Sequence, residues 1–133
     1  MAFVLDSSVA LAWLLPDETN ERTDALADRL EQESAHVPSI WPLEVGNALL
    51  TALRRRRINA GAFDRCISVL SALPIETDST AGLARVLAIA RRFGLTSYDA
   101  AYLELAQRRS LPLATLDEKL GQACKALKLP VLP

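Results

Sequence analysis

The sequence predicts an α/β fold, a three-layer sandwich in which helices flank a mainly parallel central sheet. Short apolar runs without alternation, beginning with Phe3-Val4-Leu5, are typical of strands that are buried on both faces. These runs alternate along the chain with longer segments of helical periodicity, as parallel sheets require. The chain has 133 residues, of which 50% are apolar, so we expect residues 1–133 to form one domain around a continuous core.

The first part of the chain predicts a strand followed by two helices. The strand over residues 3–5 stops at Asp6 and its following hydroxyls. The apolar pattern over residues 9–15 is that of a short helix, which Pro16 ends. A longer helix with an acidic outer face is predicted over residues 19–34.

Prolines mark the element boundaries in the middle of the chain. Residues 35–38 form a short predicted strand, and Pro42 suits the first turn of a helix that continues to about Arg57. Residues 61–73 show another helical pattern. A third strand is predicted over residues 74–77.

The last part of the chain predicts three helices and two strands. A helix from Ser79 should end at Gly94, because glycine accepts the left-handed conformation that follows many helices. Thr96 or Ser97 can cap the next helix, residues 98–109. The remaining elements are a strand over 112–115, a helix over 117–127 and a possible fifth strand over 130–132.

Composition narrows the classes of protein to consider. The formal net charge is −1, but residues 1–33 hold eight acids and two bases, so the remaining residues hold eight acids and thirteen bases. This excess of bases favours contact with a polyanion without the basicity of a dedicated nucleic-acid binder. No apolar run approaches the roughly 20 residues that span a bilayer, so we expect a soluble, cytoplasmic protein with no membrane contact. Cys66, Cys124 and the single His36 lack the spacing of a zinc site, which favours structural roles.

Four acids stand at positions where a ligand site is expected. Asp6 and Asp117 follow strands, whereas Glu44 and Asp99 lie in the first turns of helices that follow short loops. In parallel α/β sheets, ligands bind beyond the carboxyl ends of the strands, so the four side chains can converge at one edge. Each acid also has a purely structural interpretation as a helix cap or first-turn acid, and residues 115–118 have the spacing of a capping box.

The helical wheel indicates that Asp99 faces inward. It falls between Leu103 and Ala106 on the apolar side, and Glu104 falls on the opposite arc. A buried carboxylate needs a partner, and neither Lys nor His occurs in this helix. A bound cation would supply that partner, and a set of oxygen ligands suits magnesium or manganese.

Four segments of the chain carry a family resemblance. They are Leu5-Asp6-Ser7-Ser8-Val9, Glu44 with Asn47, Ser97-Tyr98-Asp99-Ala100-Ala101-Tyr102, and Leu113-Ala114-Thr115-Leu116-Asp117. In this order they resemble the PIN-domain ribonucleases and, within that group, the VapC toxins of prokaryotic toxin–antitoxin pairs. The resemblance covers nearly the whole chain.

This resemblance implies a sheet of strand order 3-2-1-4-5 and an endoribonuclease that hydrolyses RNA phosphodiester bonds with Mg²⁺ or Mn²⁺. It also implies a homodimer that is the toxin of a type II toxin–antitoxin system and is inhibited by an antitoxin protein. By resemblance, Asp6, Glu44, Asp99 and Asp117 would be the catalytic and metal-binding quartet. Ser8, Asn47 and Thr115 would support them.

The other features leave alternatives open. Arg54, Arg55, Arg56 and Arg57 close one helix, either as a solvated, dipole-favoured turn or as an RNA contact in which at most two face one backbone. Trp13 and Trp41 are interpreted as core or dimer-contact residues. A metal-dependent phosphatase lacks the expected Asp-x-Asp and Gly-rich phosphate loop, and the intact quartet argues against a non-catalytic PIN-like interaction module.

Overall fold

The computed structural model describes residues 2–133 and contains a five-stranded parallel sheet of order β3-β2-β1-β4-β5. The strands are β1 (Ala2–Leu5), β2 (Ser34–Pro38), β3 (Ile75–Asp78), β4 (Leu113–Ala114) and β5 (Val131–Leu132). Both the predicted α/β class and the implied strand order are confirmed.

Seven α-helices flank the sheet. They are α1 (Ser7–Leu14), α2 (Glu21–Arg29), α3 (Trp41–Arg54), α4 (Ala60–Ala72), α5 (Leu83–Phe93), α6 (Ser97–Arg109) and α7 (Glu118–Ala126). A short 3₁₀ turn, Pro16–Glu18, joins α1 to α2. As predicted, Gly94 ends α5 in the left-handed conformation (φ 63°), and Thr96 caps α6.

Three helices are shorter than predicted. The helix expected to continue to about Arg57 ends at Arg54, and Arg56 has a left-handed backbone (φ 58°) that is incompatible with a further helical turn. The helix expected over residues 19–34 is reduced to α2, because Asn20 rather than Thr19 caps its start and Leu30 is its last buried apolar residue. The helix expected from Ser79 begins at Leu83, because the Asp78 carboxylate accepts hydrogen bonds from the backbone and hydroxyl of Thr80. That side-chain turn holds the segment after β3 out of the helix.

The central strand β1 sets the position of the site. Phe3, Val4 and Leu5 are fully buried, and Val4 is in register with His36 of β2 and Leu113 of β4. The side chain that follows Leu5 therefore emerges at the carboxyl edge between two neighbouring strands.

Within residues 2–133, no helix has the length and apolar character needed to cross a membrane.

One prediction about α6 is wrong, because Glu104 is fully buried rather than on an exposed arc. Its carboxylate accepts a 2.7 Å hydrogen bond from Nε of Arg108, and Arg108 also pairs with Asp78 at 3.0 Å. The helix packs against β1, β2 and β4 on one side and against α5 and α7 on others, so its middle residues 102–106 are all buried.

Candidate active site

Asp6 lies directly after β1 and is buried, with 5% of its surface exposed. Its Oδ2 accepts hydrogen bonds from the hydroxyls of Ser8 at 2.6 Å and Thr115 at 2.7 Å. In the described part of the chain, the carboxylate makes no capping hydrogen bond to α1, so the capping interpretation does not hold for it. Burial raises the pKa of Asp6, and the charge of Asp117 adds to that rise, whereas the two hydroxyls oppose it.

The loop after β4 is tied to the same carboxylate. Oγ1 of Thr115 accepts the backbone N–H of Asp117 at 3.0 Å, and Oγ of Ser8 accepts that of Leu116 at 3.0 Å. The exposed Asp117 then caps α7, since its Oδ1 accepts the N–H of Leu120 at 2.9 Å. The capping interpretation therefore holds for Asp117, and the same turn carries it to the edge that holds Asp6.

Glu44 is presented by the first turn of α3. Its Oε1 accepts a 2.5 Å hydrogen bond from the hydroxyl of Tyr102, which is fully buried on α6. Burial is the main cause that raises the pKa of Glu44, and the charges of Asp6 and Asp99 raise it further, against the effect of the Tyr102 hydrogen bond. The carboxylate is thus close to two other acids and faces them from a different helix.

Asp99 lies half-buried in the first turn of α6, on the inward side that the wheel predicts. Its backbone N–H donates to Oγ1 of Thr96 at 3.1 Å. Burial raises the pKa of Asp99, and the charges of Asp6 and Asp117 add to this effect. The Thr96 hydrogen bond lowers the pKa, and the charge of Lys119 on α7 lowers it further, so a neighbouring helix supplies the cation that no Lys or His of α6 provides.

The structure therefore brings the four predicted acids to one edge of the sheet. They come from the end of β1, the start of α3, the start of α6 and the β4–α7 loop. Mutual repulsion and burial favour protonation or a bound cation at such a cluster. Among residues 2–133, no three His, Cys, Asp or Glu side chains have the spacing of a metal site.

The predicted supporting and RNA-contacting residues divide into two groups. Ser8 and Thr115 lie in the cluster through their bonds to Asp6. Asn47 is exposed on α3, one turn from Glu44. The arginines lie at the other end of α3, where the rise of a helix places Arg54 about 15 Å along the axis from Glu44. Arg57 there pairs with Asp17 at 2.8 Å.

The sequence prediction assigned no role to two residues near the acids, Tyr102 and Lys119. Tyr102 follows Asp99 by three positions, and that spacing places both on one face of α6, which is the signal that reveals it. Lys119 follows Asp117 by two positions and donates to the carbonyl of Gly94 at 2.6 Å. Only the packing of α7 beside α6 brings it near Asp99.

An apolar groove lies along α3, the helix that carries Glu44. It lies between α3 and α4, has a volume of about 320 Å³, and is lined by Trp41, Val45, Leu49, Phe63, Ile67 and Leu70 among others. Trp41 is buried, and its Nε1 is the one buried side-chain nitrogen or oxygen among the described residues without a hydrogen-bond partner. Because α3 also carries Glu44, the groove and one of the four acids share a helix.

Fold and site together define the class: a parallel α/β sandwich with an all-oxygen acidic site beyond its central strands. Within this class, the chain belongs to the PIN-domain family, whose model matches residues 3–126. The resemblance predicted from the sequence is therefore confirmed.

Known relatives agree with this assignment. Ribonuclease VapC3 of Mycobacterium tuberculosis is 33% identical over 122 residues, covering 90% of this chain and 85% of that protein. The crystal structure of PAE2754 from Pyrobaculum aerophilum has a TM-score of 0.74 at 27% identity, covering 98% of this chain and 83% of the other. VapBC2 from Rickettsia felis, solved bound to a DNA fragment from its promoter, shares the fold, with a TM-score of 0.65, 12% identity, and coverage of 98% and 97%.

Proposed function

We propose that the protein is a Mg²⁺- or Mn²⁺-dependent endoribonuclease that hydrolyses RNA phosphodiester bonds as the toxin of a type II toxin–antitoxin pair. Membership of the PIN-domain family and relatives named as VapC ribonucleases support this function. The observation that carries it is the meeting of Asp6, Glu44, Asp99 and Asp117 at one edge, where burial and mutual charge raise the pKa of the first three.

The donor set fits a hard divalent cation. Asp6, Glu44, Asp99 and Asp117 would hold it, since carboxylate oxygens are the ligands that Mg²⁺ and Mn²⁺ prefer. When bound, such a cation neutralises phosphate charge and lowers the pKa of water for in-line attack. Without it, the charges of Asp6 and Asp117 raise the pKa of Asp99, and among the described residues the charge of Lys119 opposes them.

The protein's own residues supply position and proton transfer. The hydroxyls of Ser8 and Thr115 fix the Asp6 carboxylate, so its orientation is set before substrate arrives. Asp99 and Asp117 have more solvent access than Asp6, which suits either of them to accept a proton from the attacking water. The buried position of Asp6 suits it instead to bind the cation.

The direct test is cleavage of RNA by the purified protein with Mn²⁺, with and without a chelator. Asp6→Asn should lose at least ~100-fold in rate if electrostatic stabilisation has its typical size. Asp64→Asn, an exposed acid of α4, is the matched control and should cleave like the parent. Cleavage that persists in chelator, or in Asp6→Asn, would contradict the proposed function.

For the antitoxin, we propose a segment whose basic side chain pairs with the acidic cluster in place of metal. The clustered carboxylates and the resemblance to VapC toxins support this mode. The complex should bind Mn²⁺ much more weakly than the free protein and should cleave RNA more slowly. A complex with unchanged Mn²⁺ affinity and full activity would refute it.

An RNA substrate together with a toxin–antitoxin role supports a cytoplasmic location.

The groove between α3 and α4 suits the apolar part of the same antitoxin. Its lining is mainly apolar, and α3 carries both one wall of the groove and Glu44. Ile67, 46% exposed, lines the groove, whereas Val69, 49% exposed on the same helix, lies outside it. Ile67→Lys should therefore weaken the complex more than Val69→Lys, and equal effects would place the contact elsewhere.

The homodimer is also a proposal, and α5 offers a surface for it. Leu83 and Leu87 are 73% and 48% exposed and lie one turn apart on one side of the helix. Exposed apolar pairs of this kind mark association surfaces. Replacing both with Arg should shift the protein to a monomer in sedimentation, whereas Leu43→Arg on α3 should not. An unchanged oligomeric state would exclude α5 as the interface.

A further inference from the structure

The side chain of Tyr102 forms a hydrogen-bonded link between two helices of the acidic site. It is the largest of the fully buried side chains among the described residues, and its hydroxyl donates to Oε1 of Glu44 at 2.5 Å. The link therefore joins α6 to the first turn of α3.

Packing alone does not account for this hydroxyl. A phenylalanine would fill the same buried space, and a buried O–H has to find a partner to avoid a cost of about 1–3 kcal/mol. The partner here is a carboxylate, which makes the hydrogen bond charge-assisted and short. The bond also fixes a long side chain that would otherwise sample several rotamers on the rim of the site.

The position of Tyr102 on α6 gives the link its consequence. Asp99 and Tyr102 are three residues apart on one helix, so they lie on the same face of α6. That face carries the Asp99 carboxylate and also binds the carboxylate of Glu44 through Tyr102. The arrangement of Asp99 relative to Glu44 is thus fixed by a direct bond rather than by the packing of α6 and α3 alone. The second oxygen of Glu44, Oε2, is not the atom that Tyr102 engages.

We propose that Tyr102 is a positioning residue, which holds Glu44 by Oε1 in the orientation in which this carboxylate would bind a divalent cation together with Asp6, Asp99 and Asp117. The inference rests on the proposed function, because it requires that cation. Tyr102 acts through Glu44 and does not itself touch the metal or the RNA. Side chains that orient metal ligands in this way typically contribute 10–100-fold to affinity.

The test is Mn²⁺ titration calorimetry of Tyr102→Phe, with Tyr98→Phe as the matched control. Tyr98 lies on the same helix and is 57% exposed, so its variant should bind Mn²⁺ like the parent. Tyr102→Phe should bind about 10–100-fold more weakly. In cleavage assays, the Mn²⁺ concentration for half-maximal rate should rise by a similar factor, and the rate at saturating Mn²⁺ should approach that of the parent.

A purely structural role predicts a different pattern. It would lower the melting temperature of Tyr102→Phe and leave the Mn²⁺ affinity of the folded protein unchanged, and that result would overturn the inference. In a Glu44→Gln background, Tyr102→Phe should cause little additional loss of affinity, because Tyr102 acts through Glu44. Equal losses in both backgrounds would also overturn it.

Two further outcomes separate this inference from the proposed function. If the parent binds Mn²⁺ and cleaves RNA, and Tyr102→Phe binds Mn²⁺ with the same affinity as the parent, the inference fails and the proposed function stands. If the parent does not bind Mn²⁺, both fail. Should Tyr102→Phe not fold, a crystal structure of the parent with Mn²⁺ replaces it: the inference requires the hydrogen bond from Tyr102 to Oε1 of Glu44 to persist in the metal complex, and its loss there would overturn the inference.

Discussion

The buried ion pair on α6 gives the sharpest prediction about stability. In Arg108→Met, the guanidinium is removed while Glu104, which is fully buried, keeps its carboxylate without that partner. If Glu104 were on an exposed arc, losing an i,i+4 pair would cost about 0.3–0.5 kcal/mol. Breaking a buried pair by removing one partner costs about 3–5 kcal/mol. The structure selects the second value, since the Arg108 side chain is itself only 25% exposed.

Urea unfolding and thermal melting of the variant measure this difference. A loss of this size lowers the melting temperature by roughly 11–18 °C for a chain of this length. Arg91→Met on α5, an exposed site, is the control and should change little. The double variant Glu104→Met/Arg108→Met should recover part of the loss, because it also removes the unpaired buried carboxylate. Asp78, the other partner of Arg108, keeps its hydrogen bond from Thr80 and has Arg109 at 3.8 Å. A loss below about 1 kcal/mol in Arg108→Met would refute the buried pair.

Three more predictions follow from individual contacts. Burial and the Arg109 cation lower the pKa of His36, although the charges of Glu76 and Asp78 oppose them. As the pH falls, the unfolded chain therefore binds a proton at His36 before the folded protein does, so the contribution of neutral His36 to stability is complete above about pH 6.5 and is lost below it. His36→Gln should flatten that loss when melting temperature is measured against pH. Asp117→Asn should abolish cleavage yet keep the α7 cap, whereas Asp117→Ala should also lose about 1 kcal/mol in urea unfolding; equal stabilities would contradict the cap. Thr115→Val removes the hydrogen bond from Thr115 to Asp6, so it should slow cleavage and raise the pKa of Asp6. An unchanged pH–rate profile would contradict the role of that hydrogen bond.

The sequence predicts the elements whose signals are local. Gly94 and Thr96 mark the boundary between α5 and α6 by backbone and capping chemistry, and both act as predicted. Buried apolar runs likewise identify the strands around β1. The predicted end of the helix before β2 is wrong, because Glu31-Gln32-Glu33 has helical propensity but no apolar face to bury.

Site details that depend on tertiary contacts lie beyond the sequence. The helical wheel assumes one exposed face, and α6 has five consecutive buried residues, 102–106, so the assumption fails for Glu104. The choice between cap and ligand for Asp6 depends on Thr115, which is 109 positions away. The spacing of Asp99 and Tyr102 is visible in the sequence, but its meaning requires the placement of Glu44 on the facing helix.

The central claim is that the four carboxylates bind one kind of divalent cation together. Thermal melting with and without Mn²⁺ at matched ionic strength tests it most directly. At a hundred times the dissociation constant, binding stabilises the native state by about 2.7 kcal/mol, which corresponds to roughly 5–10 °C here. The parent and Asp64→Asn should show this shift, and Asp99→Asn should show much less. Equal Mn²⁺ shifts in the parent and Asp99→Asn, or no shift in the parent, would contradict the claim.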